Sequence, residues 1–241
     1  MKFVLFGIVT LIFFGGFLAL GTWQVQRLHW KLALIARVND RVHATPVPAP
    51  GPSEWADVNT KNSEYRHVYL TGRFLNDKET YVYATTEKGL GFWVITPLKR
   101  PDGTIVLVNR GFVPEDRKAP STREAGEIKG PVKVTGLIRI SEPGGRWLRS
   151  NKPKQDRWYS RDVAAIAAKR GLSNVAPYFI DADATPNPGG LPVGGLTRIH
   201  FRNEHLVYAI TWYVLALLTA IGFLYVARTE WLARRRWANK S

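Results

Sequence analysis

The chain has 241 residues, with 34 Lys plus Arg against 19 Asp plus Glu, no cysteine, and Met1 as its sole methionine. Without cysteine there is no disulfide framework, and without thiolate or internal thioether there are no ligands for a copper-chaperone or iron–sulfur role. A net charge of +15 raises nucleic acid as a partner, and the placement of the charges has to decide that.

The first predicted element is apolar. No charged residue occurs from Phe3 to Leu20, and the uncharged stretch continues to Arg27. Eighteen helical residues span about 27 Å, close to the hydrocarbon thickness of a bilayer, so residues 1–27 are expected to form a transmembrane helix. The rival is a cleaved signal peptide, with Lys2 and the small-residue stretch Ala19-Leu20-Gly21; signal cores are shorter than this block. Residues 28–60 read as a stalk and proline-rich linker. Leu28, Leu32, Ile35 and Val38 recur at helical spacing, and Pro46, Pro48, Pro50 and Pro52 then impose an extended chain.

From residue 61 to 197 the apolar period changes to two. Tyr65 to Phe74, Thr80 to Ala84, Gly91 to Leu98, Thr104 to Asn109, Lys133 to Ile140 and Tyr178 to Ile180 are expected strands. Asn76-Asp77, Lys88-Gly89 and Asp102-Gly103 mark turns between the first four. Gly111 and Pro114 read as a turn closing the fourth strand, with Arg110 bracing exposed carbonyls there. One helix is expected, N-capped by Ser160, running from Asp162 to Lys169 and stopped by Gly171, with Val163, Ile166 and Ala167 packed on the sheet. Asp183 to Gly195 is a Pro- and Gly-rich loop leading back to the membrane.

Leu206 to Ala227 is again free of charge and ends at Arg228, so residues 198–228 are expected to hold a second transmembrane helix and 229–241 a basic cytoplasmic tail. Arg228, Arg234, Arg235, Arg236 and Lys240 place both termini in the cytoplasm by the positive-inside rule and the central domain in the periplasm. The short N-terminus, without an Arg- and Ser-rich presequence, points to a bacterial plasma membrane. The expected fold is therefore two transmembrane α-helices flanking an extracytoplasmic β-rich (α+β) domain, its antiparallel sheet curled or barrel-like with one helix. The charge now reads differently. Nine of the basic residues lie outside residues 28–197, where topology and membrane lipids account for them. The domain keeps 25 basic against 17 acidic residues, and no nucleic-acid partner is expected.

The chemistry is sparse. The histidines are His29, His43, His67, His200 and His205, and no pair stands at i, i+4, which argues against a zinc enzyme. No G-x-S-x-G motif or phosphate loop occurs, so catalysis is not expected. The segment Arg202 to Tyr213 opens the second span. On a helix His205, Tyr208 and Trp212 share one face, with Ala209 leaving a gap between them. An imidazole beside an aromatic wall suits a flat, metal-bearing macrocycle. It equally suits an interfacial cap, with Asn203 capping the helix and the aromatics forming a belt. A hairpin of the two spans brings Trp23, Gln24 and Arg27 to the level of His205, and leaves Arg27 to pair with Glu204 or with a ligand carboxylate.

Gly21-Thr22-Trp23-Gln24-Val25-Gln26-Arg27-Leu28-His29-Trp30-Lys31 resembles the G-x-W-Q-x-x-R-x-x-W-K signature of the Surfeit locus protein 1 family. Val108 to Pro114 resembles its N-R-G-W-V-P motif, with Phe112 for the usual Trp, and Asn203 to Trp212 resembles its N-x-H-L-x-Y-A-x-T-W motif. The likeness spans essentially the whole chain. It implies an assembly factor for haem–copper cytochrome c oxidase rather than an enzyme, one that transiently binds haem a and assists its insertion into the oxidase's catalytic subunit. It implies haem a synthase as a second partner. It also implies His205 as the ligand of the haem iron, with Tyr208, Trp212, Trp23 and Arg27 as candidate haem contacts. The alternatives are a haem-independent scaffold for the oxidase subunit and a membrane-tethered enzyme, the latter lacking a catalytic constellation.

Overall fold

The structure is a computed structural model and describes residues 2–199 and 201–238; His200 and Lys240 lie outside the described residues. The chain forms two compact units, one of residues 1–37 and 200–241, the other of residues 38–199.

The first unit is built on two long helices, α1 (Lys2–His43) and α3 (His205–Ala238). Both are long and apolar enough to cross a bilayer. A helix of 42 residues measures about 63 Å, roughly twice the hydrocarbon thickness, so the first span and the stalk are one uninterrupted helix. The two helices run antiparallel. Phe6 stacks on Phe223 at 6.2 Å and Phe17 on Trp212 at 5.8 Å, while Thr22 Oγ1 meets the Tyr213 hydroxyl at 3.2 Å.

The second unit contains β1 (Val47–Pro48), β2 (His67–Phe74), β3 (Thr80–Thr86), β4 (Gly89–Lys99), β5 (Ile105–Pro114), β6 (Pro131–Ile140), β7 (Gly145–Arg146), β8 (Arg149–Ser150), the helix α2 (Val163–Arg170) and β9 (Val175–Ala182). Strands β2, β6, β9, β5 and β4 follow one another in hydrogen-bonded order, and β4 returns to β2 through Arg73↔Lys99 and Phe74↔Leu98. The sheet is thus a closed five-stranded barrel, which removes the free edges of its strands. All neighbours are antiparallel except β5 and β9. Strand β3 extends the sheet beyond β4. The segment expected to be a free proline-rich linker contributes β1, which pairs in parallel with Val68 and Tyr69 of β2, and Ala49 is buried beside it.

The apolar pattern explains the layers. Val106 and Val108 of β5 point into the barrel with Val68, Leu98, Ile138, Tyr178 and Ile180. Leu107 points outward, yet it is covered by Trp158 and by Val163 and Ile166 of α2. Strand β5 is therefore buried on both faces, and its continuous run of apolar residues follows from that. Helix α2 is capped by Asp162, whose carboxylate accepts from the Ala165 amide at 3.1 Å, and closes at Gly171. Ser160, the expected cap, instead donates to the Glu142 carbonyl at 2.7 Å. Both residues are good capping types, and the helix takes the nearer one.

His67 ties the start of this unit together. Its Nε2 lies 2.9 Å from Asp183 Oδ2 and its Nδ1 2.9 Å from the Ala44 carbonyl. Burial pulls its pKa down, but the bonds to Asp183 and Ala44 outweigh that and raise it above its ordinary 6.5. With the folded value raised, the stabilisation is complete below the unfolded pKa and disappears as pH rises through the raised value. Amide hydrogen exchange at Ala44–Ala49, corrected for its intrinsic pH dependence, should therefore speed up as pH climbs past that point. A His67→Gln variant should show no such step.

Candidate functional site

His205 is the first residue of α3, and the Asn203 side chain accepts from its amide at 3.4 Å. The imidazole is partly buried, and its Nδ1 lies 2.7 Å from Gln24 Oε1 on α1. The amide oxygen can only accept, so in the neutral ring this bond is donated by Nδ1 and the lone pair stands on Nε2. A ring held in this way is oriented as metal-ligating imidazoles are by the partners behind them.

The close approach of the helices is set by small residues. A Cβ on Gly21 would stand 2.9 Å from the Tyr213 ring, and Ala209 and Ala216 are each 2% exposed. The gap expected over Ala209 is consequently not open. Trp212 is partly buried and stacked on Phe17. Tyr208 and Trp23 are each half exposed. Arg27 lies over the Trp30 ring at 4.7 Å, while the Glu204 carboxylate pairs with Arg202, so of the two partners open to Arg27, Glu204 is engaged locally. Lys31, the last residue of the first motif, forms a cation–π pair at 5.1 Å with Phe201, which the sequence did not point to. Among the described residues no three of His, Asp and Glu gather as a metal-ion site. What the arrangement offers is one oriented imidazole with exposed aromatic rings and an arginine on the same helical hairpin.

The Asn109-Arg110-Gly111 segment lies inside β5 rather than at its end, which corrects the turn reading. Asn109 Nδ2 donates to Asp181 Oδ1 at 2.8 Å, and Asp181 is also paired with Arg139 at 3.4 Å and Arg161 at 3.2 Å. Arg110 is buried on the opposite side of the strand. It donates to the Gly126 carbonyl and to Asn187 Oδ1, lies over the Phe74 ring at 4.6 Å, and faces Glu79 at 3.6 Å. Burial lowers its pKa, an effect that Glu79 partly opposes. Arg123 meets the same carboxylate at 2.6 Å and donates to the Tyr81 hydroxyl at 2.9 Å. Gly111 adopts φ +129° and lets Phe112 and Val193 exchange backbone hydrogen bonds. All three residues of the motif are thus committed to holding the barrel and the Pro186–Gly195 loop together.

The SURF1 family model matches residues 11–217. This chain belongs to the SURF1 family. Surfeit locus protein 1 of Homo sapiens is 41% identical over 218 residues, covering 83% of this chain and 70% of that protein. The same protein of Rattus norvegicus is 40% identical over 219 residues, covering 83% and 69%. A SURF1-like protein of Monosiga brevicollis is 38% identical over 237 residues, covering 92% and 85%. The SURF1 match takes in both the Gln24–His205 hairpin and the barrel, so the two units belong to one family architecture.

Proposed function

We propose that this SURF1-family chain is an assembly factor for haem–copper cytochrome c oxidase that carries haem a as cargo, with His205 as the iron ligand. The observation that supports this most directly is the Nδ1–Gln24 bond, which orients the ring and, in its neutral form, leaves Nε2 free to ligate. Haem iron accepts an axial imidazole; Trp23 and Tyr208 offer ring faces for the macrocycle, Trp212 extends that wall, and Arg27 offers a cation for a propionate. The catalytic subunit of the oxidase would receive the cargo, and haem a synthase would supply it. The basic residues Arg228, Arg234, Arg235 and Arg236 support a cytoplasmic tail; the reading is of a bacterial plasma-membrane protein with both termini cytoplasmic and the barrel periplasmic.

The test is optical. Protein purified from cells that make haem a should carry a haem spectrum. His205→Ala should lose it, and Gln24→Leu should bind roughly 10–100-fold more weakly, as removal of a partner behind a metal ligand does. Unchanged haem content in His205→Ala would sink the ligand assignment. A haem-independent scaffold is the second reading. The covered Ala209 and the Phe17–Trp212 stack favour it, because they use part of the aromatic wall within the hairpin. Full oxidase haem content in a His205→Ala strain would decide for it.

A further inference from the structure

The hairpin of β7 and β8 is closed by a two-residue loop, Trp147-Leu148, between the paired residues Arg146 and Arg149. Trp147 is 93% exposed and Leu148 88%, so nothing in the domain covers two of the largest apolar side chains it carries. Packing does not account for them, and neither does backbone preference. Leu148 sits at φ +67°, a conformation that hairpin loops normally give to Gly, Asn or Asp, and a bulky residue there is uncommon. The tip therefore presents apolar groups at a position whose local geometry disfavours them.

The charge around the tip is equally one-sided. Residues 146–157 include five exposed cations, Arg146, Arg149, Lys152, Lys154 and Arg157, and one carboxylate, Asp156, which is engaged by Arg170 at 2.8 Å. Among the described residues none of the five forms an ion pair. Half of the +8 surplus of residues 28–197 lies in these twelve positions. A Trp and a Leu projecting from a cationic collar is the chemistry that enters the headgroup region of an anionic bilayer. The indole settles at the interface, the aliphatic chain reaches the acyl region, and the cations meet phosphates. The same chain carries two helices long and apolar enough to cross a bilayer.

We infer that the Trp147-Leu148 hairpin is a lipid-contacting tip that docks the β-domain onto an anionic membrane surface. The absence of native cysteine makes the test clean, because Leu148→Cys carries the only spin label in the full chain. The labelled protein is reconstituted in phosphatidylcholine alone and in an equimolar mixture with phosphatidylglycerol, and collisions with oxygen and with a water-soluble nickel chelate are compared. The expected result is a several-fold rise in the oxygen-to-nickel ratio in the anionic bilayer, abolished by Arg146→Gln with Arg149→Gln. Trp147→Cys should report the same rise, which guards against a local fault of one labelled variant. A label equally open to the nickel chelate in both bilayers overturns the inference. Protection that arises only on adding the purified oxidase catalytic subunit also overturns it, and assigns the tip to a protein partner.

Discussion

Glu79→Ala should destabilise the β-domain by about 3–5 kcal/mol, as removal of one member of a buried ion pair does. The site is more demanding than a simple pair, because two guanidinium groups converge on one carboxylate. Arg110, Arg123 and Glu79 all have side chains 1–2% exposed. Without Glu79 the two buried cations keep only the through-space attraction of Glu127, and the hydroxyls of Tyr81 and Thr96 lose the oxygens to which they donate, at 2.8 and 3.1 Å. The pKa of Tyr81 is pushed up, first by burial and then by the negative charge of Glu79, so the phenol stays a neutral donor. Arg123→Met leaves Arg110 and Glu79 as a balanced pair and should cost less, about 1–3 kcal/mol for the bonds left unmade. The order of the two variants is the sharp part. Guanidinium-induced unfolding of the full-length protein in detergent, followed by tryptophan fluorescence, should place Glu79→Ala well below Arg123→Met; the reverse order would contradict the charge count.

Gly111→Ala should be comparably damaging, on the order of 3–5 kcal/mol from backbone strain and steric overlap together. A Cβ at this position would lie 2.1 Å from the Val193 carbonyl oxygen, and backbone cannot rotate away as a side chain can. Relief requires Val193 to withdraw, which breaks its two 2.9 Å hydrogen bonds with Phe112 and frees the loop that Asn187 pins to Arg110. Limited proteolysis should therefore cut the Gly111→Ala protein within Pro186–Gly195 under conditions where the parent resists. An uncut loop with an unchanged unfolding midpoint would mean that the strain at Gly111 is relieved without moving Val193.

Much of the fold was legible because its signals are local. Alternation in Tyr65–Phe74 and Lys133–Ile140 marks strands that pair side by side, and charge-free runs mark the two long helices. The motif around Asn109 was misread for a physical reason. Asn, Gly and Pro are turn residues in isolation, whereas here Gly111 takes a positive φ within a strand so that a loop can bond beside it. The helical spacing of His205, Tyr208 and Trp212 was readable, and a hairpin suffices to put Gln24 near His205. The bond between them depends on the packing register of α1 against α3, which no single segment encodes. Glu79, Arg110 and Arg123 come from three separated stretches, and each is unremarkable where it stands in the sequence. Only barrel closure makes them neighbours.

The position of β9 gives the order of synthesis a consequence. It is inserted between β6 and β5, parallel to the second and antiparallel to the first, and it is the last barrel strand to leave the ribosome. Until Val175–Ala182 arrives, β2 with β6 and β4 with β5 meet only at the short seam of Arg73↔Lys99 and Phe74↔Leu98, and two long edges stay open to other chains. A chain interrupted after α2 keeps four of the five ring strands and still lacks the one that joins its halves. The growing domain therefore needs protection from edge-to-edge association until β9 has emerged, shortly before α3, the second apolar helix, follows it.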